Sequence, residues 1–319
     1  MFTVKRYSET DKTAWNNFLQ EAKNSTFLFH RDYVDYHSDR FNDHSAMIFS
    51  DNKLCALFIA SEKGDVIQSH GGLSYGGLIL EKNVRLNEVL RYFYHLLKYY
   101  SNDFSKIVYK CFPSYYCSVP AHEDLYALFL VDAKLIRRDT SSVYDRSNPR
   151  PYKERKKRSL KKTAGSLRIQ QSPDPQNFWK SILEPNLEER FGVKPVHTLD
   201  EVNLLMSRFP ENIKLFEVHS DELLGGTLIF ETEKVAHAQY ISASAAGKAA
   251  GALDFLFDRL IQDTYSIKRF FSMGISNEND GRKLNDGLMD WKEGFGTSMY
   301  ALDFYSIDPK NFTLLSEYE

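Results

Sequence analysis

The feature that most constrains this chain is an order of secondary-structure signals that occurs twice. From Ile213 the stretches "IKLFEVHS", "ELLGGTLIFE" and "VAHAQYIS" read as three strands, parted by short polar turns at Ser220-Asp221 and Thr232-Glu233. Leu253, Leu256, Phe257, Leu260 and Ile261 then fall at i, i+3, i+4, i+7 and i+8, the apolar stripe of a helix. A strand "KRFFSMGI", a helix "LNDGLMDWKEGF" and a strand "SMYALDFYSI" complete the order βββ-α-β-α-β. The same order starts at "SAMIFS", "KLCALFIASE" and "VIQSH". It continues through a glycine-rich "GGLSYGG", a helix with Leu86, Leu90, Phe93, Leu96 and Leu97 on one face, "KIVYKCF", "HEDLYALFL" and "LIRRDTSSVYD". The displacement is about 165 to 170 residues, and the letters themselves scarcely match, so the pattern repeats rather than the sequence.

The pattern predicts an α/β (α+β) protein of two tandem domains, residues 1–148 and 149–319, each a mixed, mostly antiparallel sheet flanked by helices. The boundary falls at "DRSNPRPYKERKKRSLKKTAG", where Pro149 and Pro151 break any regular element before a basic helix. A length of 319 residues suits two domains. Net charge is −2, which argues against a polycation built for bulk nucleic-acid binding. No apolar run approaches the roughly 18 residues of a membrane span, and the start "MFTVKRYSETDK" lacks the apolar core of a signal peptide. Cys55, Cys111 and Cys117 show neither metal-ligand spacing nor a disulfide framework, which fits a reducing cytoplasm and no metal. The abundant Tyr and Phe permit a homo-oligomer.

Between Ser242 and Asp254 the chain reads "SASAAGKAAGALD". Small residues opening a helix directly after a strand leave main-chain N–H groups sterically open at the positive end of the helix dipole, an anion site. A Walker A loop would need Gly at Ser242 and Ser or Thr at Ala249, and a dinucleotide fingerprint would need a third glycine beside Gly247 and Gly251. Neither motif is present. The alternative is that small residues only let the helix pack closely on its sheet.

A meander, a small-residue turn, a helix and a strand splayed from its neighbour resemble the GNAT acyltransferase fold. The GNAT loop Arg/Gln-x-x-Gly-x-Gly/Ala wraps the pyrophosphate of acyl-coenzyme A. Gly247 and Ala249 match its small positions, while Ser244 replaces Arg or Gln; a shifted register uses Lys248 and Gly251, with Leu253 breaking the last position. "AQYISASAAGKAAGALDFLFDRLI" and "GISNENDGRKLNDGLMDWKEGFG" are similar to the FemAB-related tandem GNAT acyltransferases of bacterial surface-polysaccharide pathways. "STFLFHRDYVDYHSDRFNDHSAMIF", "HGGLSYGGLIL" and "RSLKKTAG" are similar to other stretches of that group. Within it the chain looks closest to N-acyltransferases of nucleotide-linked amino sugars, of the dTDP-3-amino-3,6-dideoxyhexose type that serves O-antigen.

The resemblance implies acyl-coenzyme A as co-substrate, held by Ile241, Ser242, Gly247, Lys248, Ala249 and Gly251. It also implies a strand bulge at Tyr240 to Ser242 whose amide receives the thioester carbonyl. Glu278 and Asn285, just past "KRFFSMGIS", are the candidates for receiving the ammonium proton; Glu278 pairing with Arg282 on a solvated surface is the alternative. His237 reads as a packed or surface strand residue rather than a base. His70 and Tyr75 are candidates for the acceptor pocket. The run "KERKKRSLKK" puts Arg155, Arg158 and Lys162 near one helical face, suited to the acceptor's diphosphate. Few aromatics interleave it, so nucleic acid is not expected. No Cys–His or Ser–His pair stands at a suggestive spacing, so transfer is read as direct. The rival readings are an aminoacyl-tRNA-dependent transferase of the Fem peptidoglycan type and a non-catalytic binding module.

Overall fold

Runs of β-branched and aromatic residues between turn signals form strands, and the helices cover the sheets with their apolar stripes. The structure is a computed structural model that describes residues 1–163 and 165–319; Ala164, within the "RSLKKTAG" stretch, lies outside the described residues. The chain forms two compact units. One comprises Met1–Asp139, Asp280–Arg282 and Ala301–Glu319; the other comprises Thr140–Asn279 and Lys283–Tyr300. The expected boundary at 148/149 therefore falls inside the second unit.

In the first unit, β1 (Phe2–Arg6), β2 (Ala46–Ser50), β3 (Lys53–Phe58) and β5 (Leu78–Leu80) make an antiparallel sheet in the order β1-β2-β3-β5. β4 (Val66–Gln68) pairs in parallel with β6 (Lys106–Lys110). Helix α1 (Leu86–Tyr100) buries Val89, Leu90, Phe93 and Leu97 in a core with Ile48, Ala56 and Phe58. Helix α2 (Glu123–Leu130) follows β6. The strand β5 departs from the expected order, which runs from "GGLSYGG" straight into the helix. Leu78, Ile79 and Leu80 are all buried and pair with Ala56 to Phe58, but three apolar residues are too few to show a period. The head of α1 then falls at Arg85, whose N–H donates to the Glu88 carboxylate at 2.9 Å.

In the second unit, the basic helix α3 (Glu154–Thr163) and β8 (Arg168–Ser172) lead into a helix over 176–191 with a π-helical turn at Trp179–Leu183, ending as α4 (Glu184–Phe191). β9 (Ile213–His219), β10 (Leu223–Glu231) and β11 (Val235–Ala243) form the expected meander. Helices α5 (Ala245–Ala249) and α6 (Ala252–Arg259), strand β12 (Phe270–Ile275) and helix α7 (Asp286–Glu293) complete it. Leu256, Phe257, Leu260 and Ile261 fill the core against Ala236, Ala238, Phe271 and Phe295.

The last strands do not stay with their own halves. β7 (Lys134–Asp145) crosses into the second unit, where Val143, Tyr144 and Asp145 pair with Ser272, Phe271 and Phe270 of β12. β13 (Ser298–Ile307) crosses into the first, where Phe304 to Ile307 pair with Lys110 to Ile107 of β6. Each unit thus contains a strand that comes from the other half of the sequence.

Candidate functional site

The site begins where two parallel strands part. β11 pairs with β12 only from Val235 to His237, against Phe270 to Ser272. Opposite β10, the register passes from Ile229↔Ala238 to Leu228↔Tyr240, which leaves Gln239 as an extra residue, a bulge. The bulge therefore sits one residue before the expected segment Tyr240 to Ser242. At the parting point, His237 Nδ1 lies 2.9 Å from Ser272 Oγ, and burial pulls its imidazole down to about 4. It is neutral and packed, one of the two placements the sequence left open.

Past β11 the small residues do two different jobs. Ser244 Oγ accepts from the Gly247 N–H at 3.0 Å and donates to Leu224 O at 3.2 Å, capping the short α5. A Cβ on Gly247 would stand 2.1 Å from Leu224 O, so that glycine answers to the closeness of β10, and its amide is already bonded. The open helix head lies further on. Gly251 is the N-cap of α6 with φ +67, and it offers no side chain to the first-turn amides from Ala252 onward. A Cβ there would meet Ser159 Oγ at 3.2 Å and Thr163 Cγ2 at 3.3 Å, so the basic helix packs directly over it.

Between them lies a cavity of about 1160 Å³, lined by Arg155, Arg158 and Lys162 of α3 and by Ile241 and Ser242 of β11. Gly247, Lys248, Ala249 and Gly251 line it as well, with Leu288 and Trp291 of α7 opposite. The structure so brings together every residue the sequence assigned to the carrier, and it places in the same cavity Arg155, Arg158 and Lys162, which the sequence suited to the acceptor's diphosphate. Arg155 is turned onto Asp290 at 2.6 Å. Arg158, Lys162 and Lys248 line the cavity; Arg158 feels the Glu154 carboxylate one turn away, and Lys248 donates to Asn186 Oδ1.

The remaining candidates lie off the cavity wall. Glu278 does not pair with Arg282: Lys283 Nζ donates to it at 2.9 Å and Asn285 Nδ2 at 3.0 Å. The Lys283 and Asn285 hydrogen bonds hold this exposed carboxyl below its ordinary value, which makes it a poorer base. Asn285 caps α7, its Oδ1 accepting from the Leu288 N–H at 3.0 Å. Glu278→Gln is accordingly expected to change turnover by no more than about threefold, far below the loss of a positioned base; a steady-state assay checks it. The Tyr240 hydroxyl lies 2.7 Å from His197 Nδ1, its ring edge-on to Trp179, and burial pushes the phenol up to about 12.

His70 and Tyr75 belong to the first unit. His70 is buried at φ +43 beside the rings of His37 and Phe41. Tyr75 is buried among Phe29, Phe112 and Tyr116, its hydroxyl 2.9 Å from Thr26 Oγ1. Both sit in packed surroundings, whereas the cavity is built wholly from second-unit residues.

Two positions stand out that the sequence reading passed over. Asn186 of α4 donates through Nδ2 to Ser242 Oγ at 2.8 Å and Ala243 O at 2.9 Å, and accepts from Lys248 Nζ at 3.3 Å. It fixes the end of β11 and one cavity cation together. Lys292 of α7 is 2% exposed and donates to the carbonyl oxygens of Gly274 at 3.0 Å and Ile275 at 2.6 Å, beyond the splay. Burial without a carboxylate lowers its ammonium to about 7. Its signal was a charge inside the apolar stripe Leu288, Trp291, Lys292, Phe295 at i, i+3, i+4 and i+7.

A bulged strand splayed from its parallel neighbour and followed by an uncapped helix head defines a GNAT-like unit, and the chain has the tandem GNAT-like fold. Solved structures share it. FemX aligns over 94% of this chain and 96% of its own length, at 10% identity and a TM-score of 0.64. L-PGS from Bacillus licheniformis aligns over 98% of both chains at 13% identity and 0.60. A tandem GNAT protein from the clavulanic acid biosynthesis pathway covers 97% of this chain and 99% of its own, at 10% identity and 0.52. No protein-family model matches the chain, and no curated protein matches it in sequence.

Proposed function

We propose that the chain is an N-acyltransferase that takes an acyl group from acyl-coenzyme A in the second-unit cavity and passes it to the amine of a nucleotide-linked amino sugar. One observation carries the carrier assignment: Arg158, Lys162 and Lys248 face the uncapped head of α6 across a single cavity. Cations and open amides converging on one space are what a carrier phosphate requires. The acceptor class rests on the resemblance of the stretch from Gly274 to Gly296.

In the proposed reaction the amine nitrogen attacks the thioester carbon and a C–N bond forms. The tetrahedral intermediate collapses with cleavage of C–S, and the amine's proton leaves as the thiolate is protonated. The main chain at the Gln239 bulge is the source of a donor for the oxyanion. Lys292 serves as a positioning residue: it holds the end of β12 away from β11 and exchanges a proton near neutral pH.

Acyl-coenzyme A mixed with nucleotide amino sugars should release free thiol, and coenzyme A should bind in calorimetry. No binding at millimolar ligand would overturn the assignment. The double variant R158A/K162A should weaken coenzyme A binding by about tenfold or more, the scale of lost charge-assisted hydrogen bonds. An aminoacyl-tRNA donor is the second reading, favoured by the likeness in fold to FemX. It requires activity that ribonuclease abolishes and that falls steeply with salt.

A further inference from the structure

Of the seven cations in the run from Lys153 to Lys162, Lys156 alone is buried, 3% exposed. It turns away from the other cations. Its Nζ forms an ion pair with Asp254 and lies 3.9 Å from the centroid of the Phe295 ring and 5.0 Å from that of Trp291. The same Asp254 oxygen, Oδ1, accepts from Trp291 Nε1 at 2.8 Å. Asp254 is the third residue of α6 and lines the cavity, so its carboxylate stands at the helix head where an incoming phosphate would also sit.

A bare carboxylate at that point would repel the phosphate through a poorly screened path. With a lysine ammonium and an indole N–H on one oxygen, its field is largely cancelled. The three groups also come from three elements, α3, α6 and α7, so one network fixes the spacing of the walls around the cavity.

We propose that Lys156 is the counter-ion that masks Asp254 and thereby permits an anionic carrier at the head of α6. Lys156 also belongs to the cavity wall, and on this account it acts as a positioning residue through Asp254 rather than on the ligand. Trp291 is its partner in holding the carboxylate. The inference rests on the reading of the cavity as a carrier site and adds the device that makes an acid tolerable inside it.

The test is calorimetry with coenzyme A, and with inorganic pyrophosphate as the minimal anion, on wild type, K156M and the double variant K156M/D254N. Thermal unfolding of each shows how much native protein is present. K156M should weaken both ligands by at least about tenfold, because it unmasks one full charge beside the site. K156M/D254N should return to within about threefold of wild type, since the uncompensated charge is gone while a hydrogen-bonding side chain remains for Trp291. If Lys156 merely packs, the double variant stays as weak as K156M, or K156M binds like wild type; either result overturns the proposal. Failure of wild type to bind coenzyme A or pyrophosphate overturns the carrier reading and this inference with it, and that outcome is recognisable on wild type alone.

Discussion

Lys292→Met is expected to lower turnover by about tenfold, the scale of the lost charge-assisted hydrogen bonds that hold the end of β12, and to erase an inflection near pH 7 from the rate profile. The reason is the setting of the amine. Lys292 is buried with two carbonyl oxygens and no carboxylate, and its ammonium falls to about 7. The same shift has a stability signature with a definite sign. An unfolded lysine keeps its proton up to about 10.4, whereas the folded one releases it near 7. Between those values the unfolded state holds more protons, so raising the pH favours the folded state. Below about 7 both states are protonated and the cost is fully present. Wild type should therefore gain on K292M as pH rises above 7, by up to about 1.4 kcal/mol per pH unit. Urea titrations at pH 6, 8 and 9 measure the difference. Parallel curves, or a rate profile that keeps its inflection, would remove Lys292 from the mechanism.

Gly247→Val should cost the second unit about 3 kcal/mol, the upper end of overpacking penalties. The added Cβ meets Leu224 O at 2.1 Å, and that oxygen is backbone already engaged by Ser244, so it has nowhere to retreat. Loss of carrier binding in this variant would follow from misplacement of α5 rather than from a blocked amide, because the Gly247 N–H is bonded to Ser244 Oγ. Gly251→Ala gives the contrast: it strains φ +67 and crowds Ser159, so carrier affinity should fall more than the urea midpoint does. Equal stability of G247V and wild type would contradict the packing described around β10.

The repeated order of elements was legible because strands and helices carry periods of two and 3.6 residues that survive when letters diverge. Every element expected of the second half is present, from Ile213–His219 to Ser298–Ile307. The basic helix and the small-residue turn each have a local signature, but their meeting in one cavity was not legible: the sequence suited Arg155, Arg158 and Lys162 to the acceptor's diphosphate, and only the packing of α3 over Gly251 joins them to the turn. Not legible were β5, too short for a period, and the exchange of β7 and β13, because a strand's sequence does not name its partner. Glu278 looked chemically apt at the end of a strand, yet its surroundings are an exposed turn with Lys283.

By itself, then, the sequence determined the repeated order of the longer strands and helices and which cations sit on one helical face. These properties depend on near neighbours and backbone sterics. Tertiary structure alone decided that the open helix head belongs to Gly251 and not Gly247, that Lys156 faces Asp254, and that Lys292 is buried. Burial and charge compensation depend on residues tens to hundreds of positions away, and only folding brings those into contact.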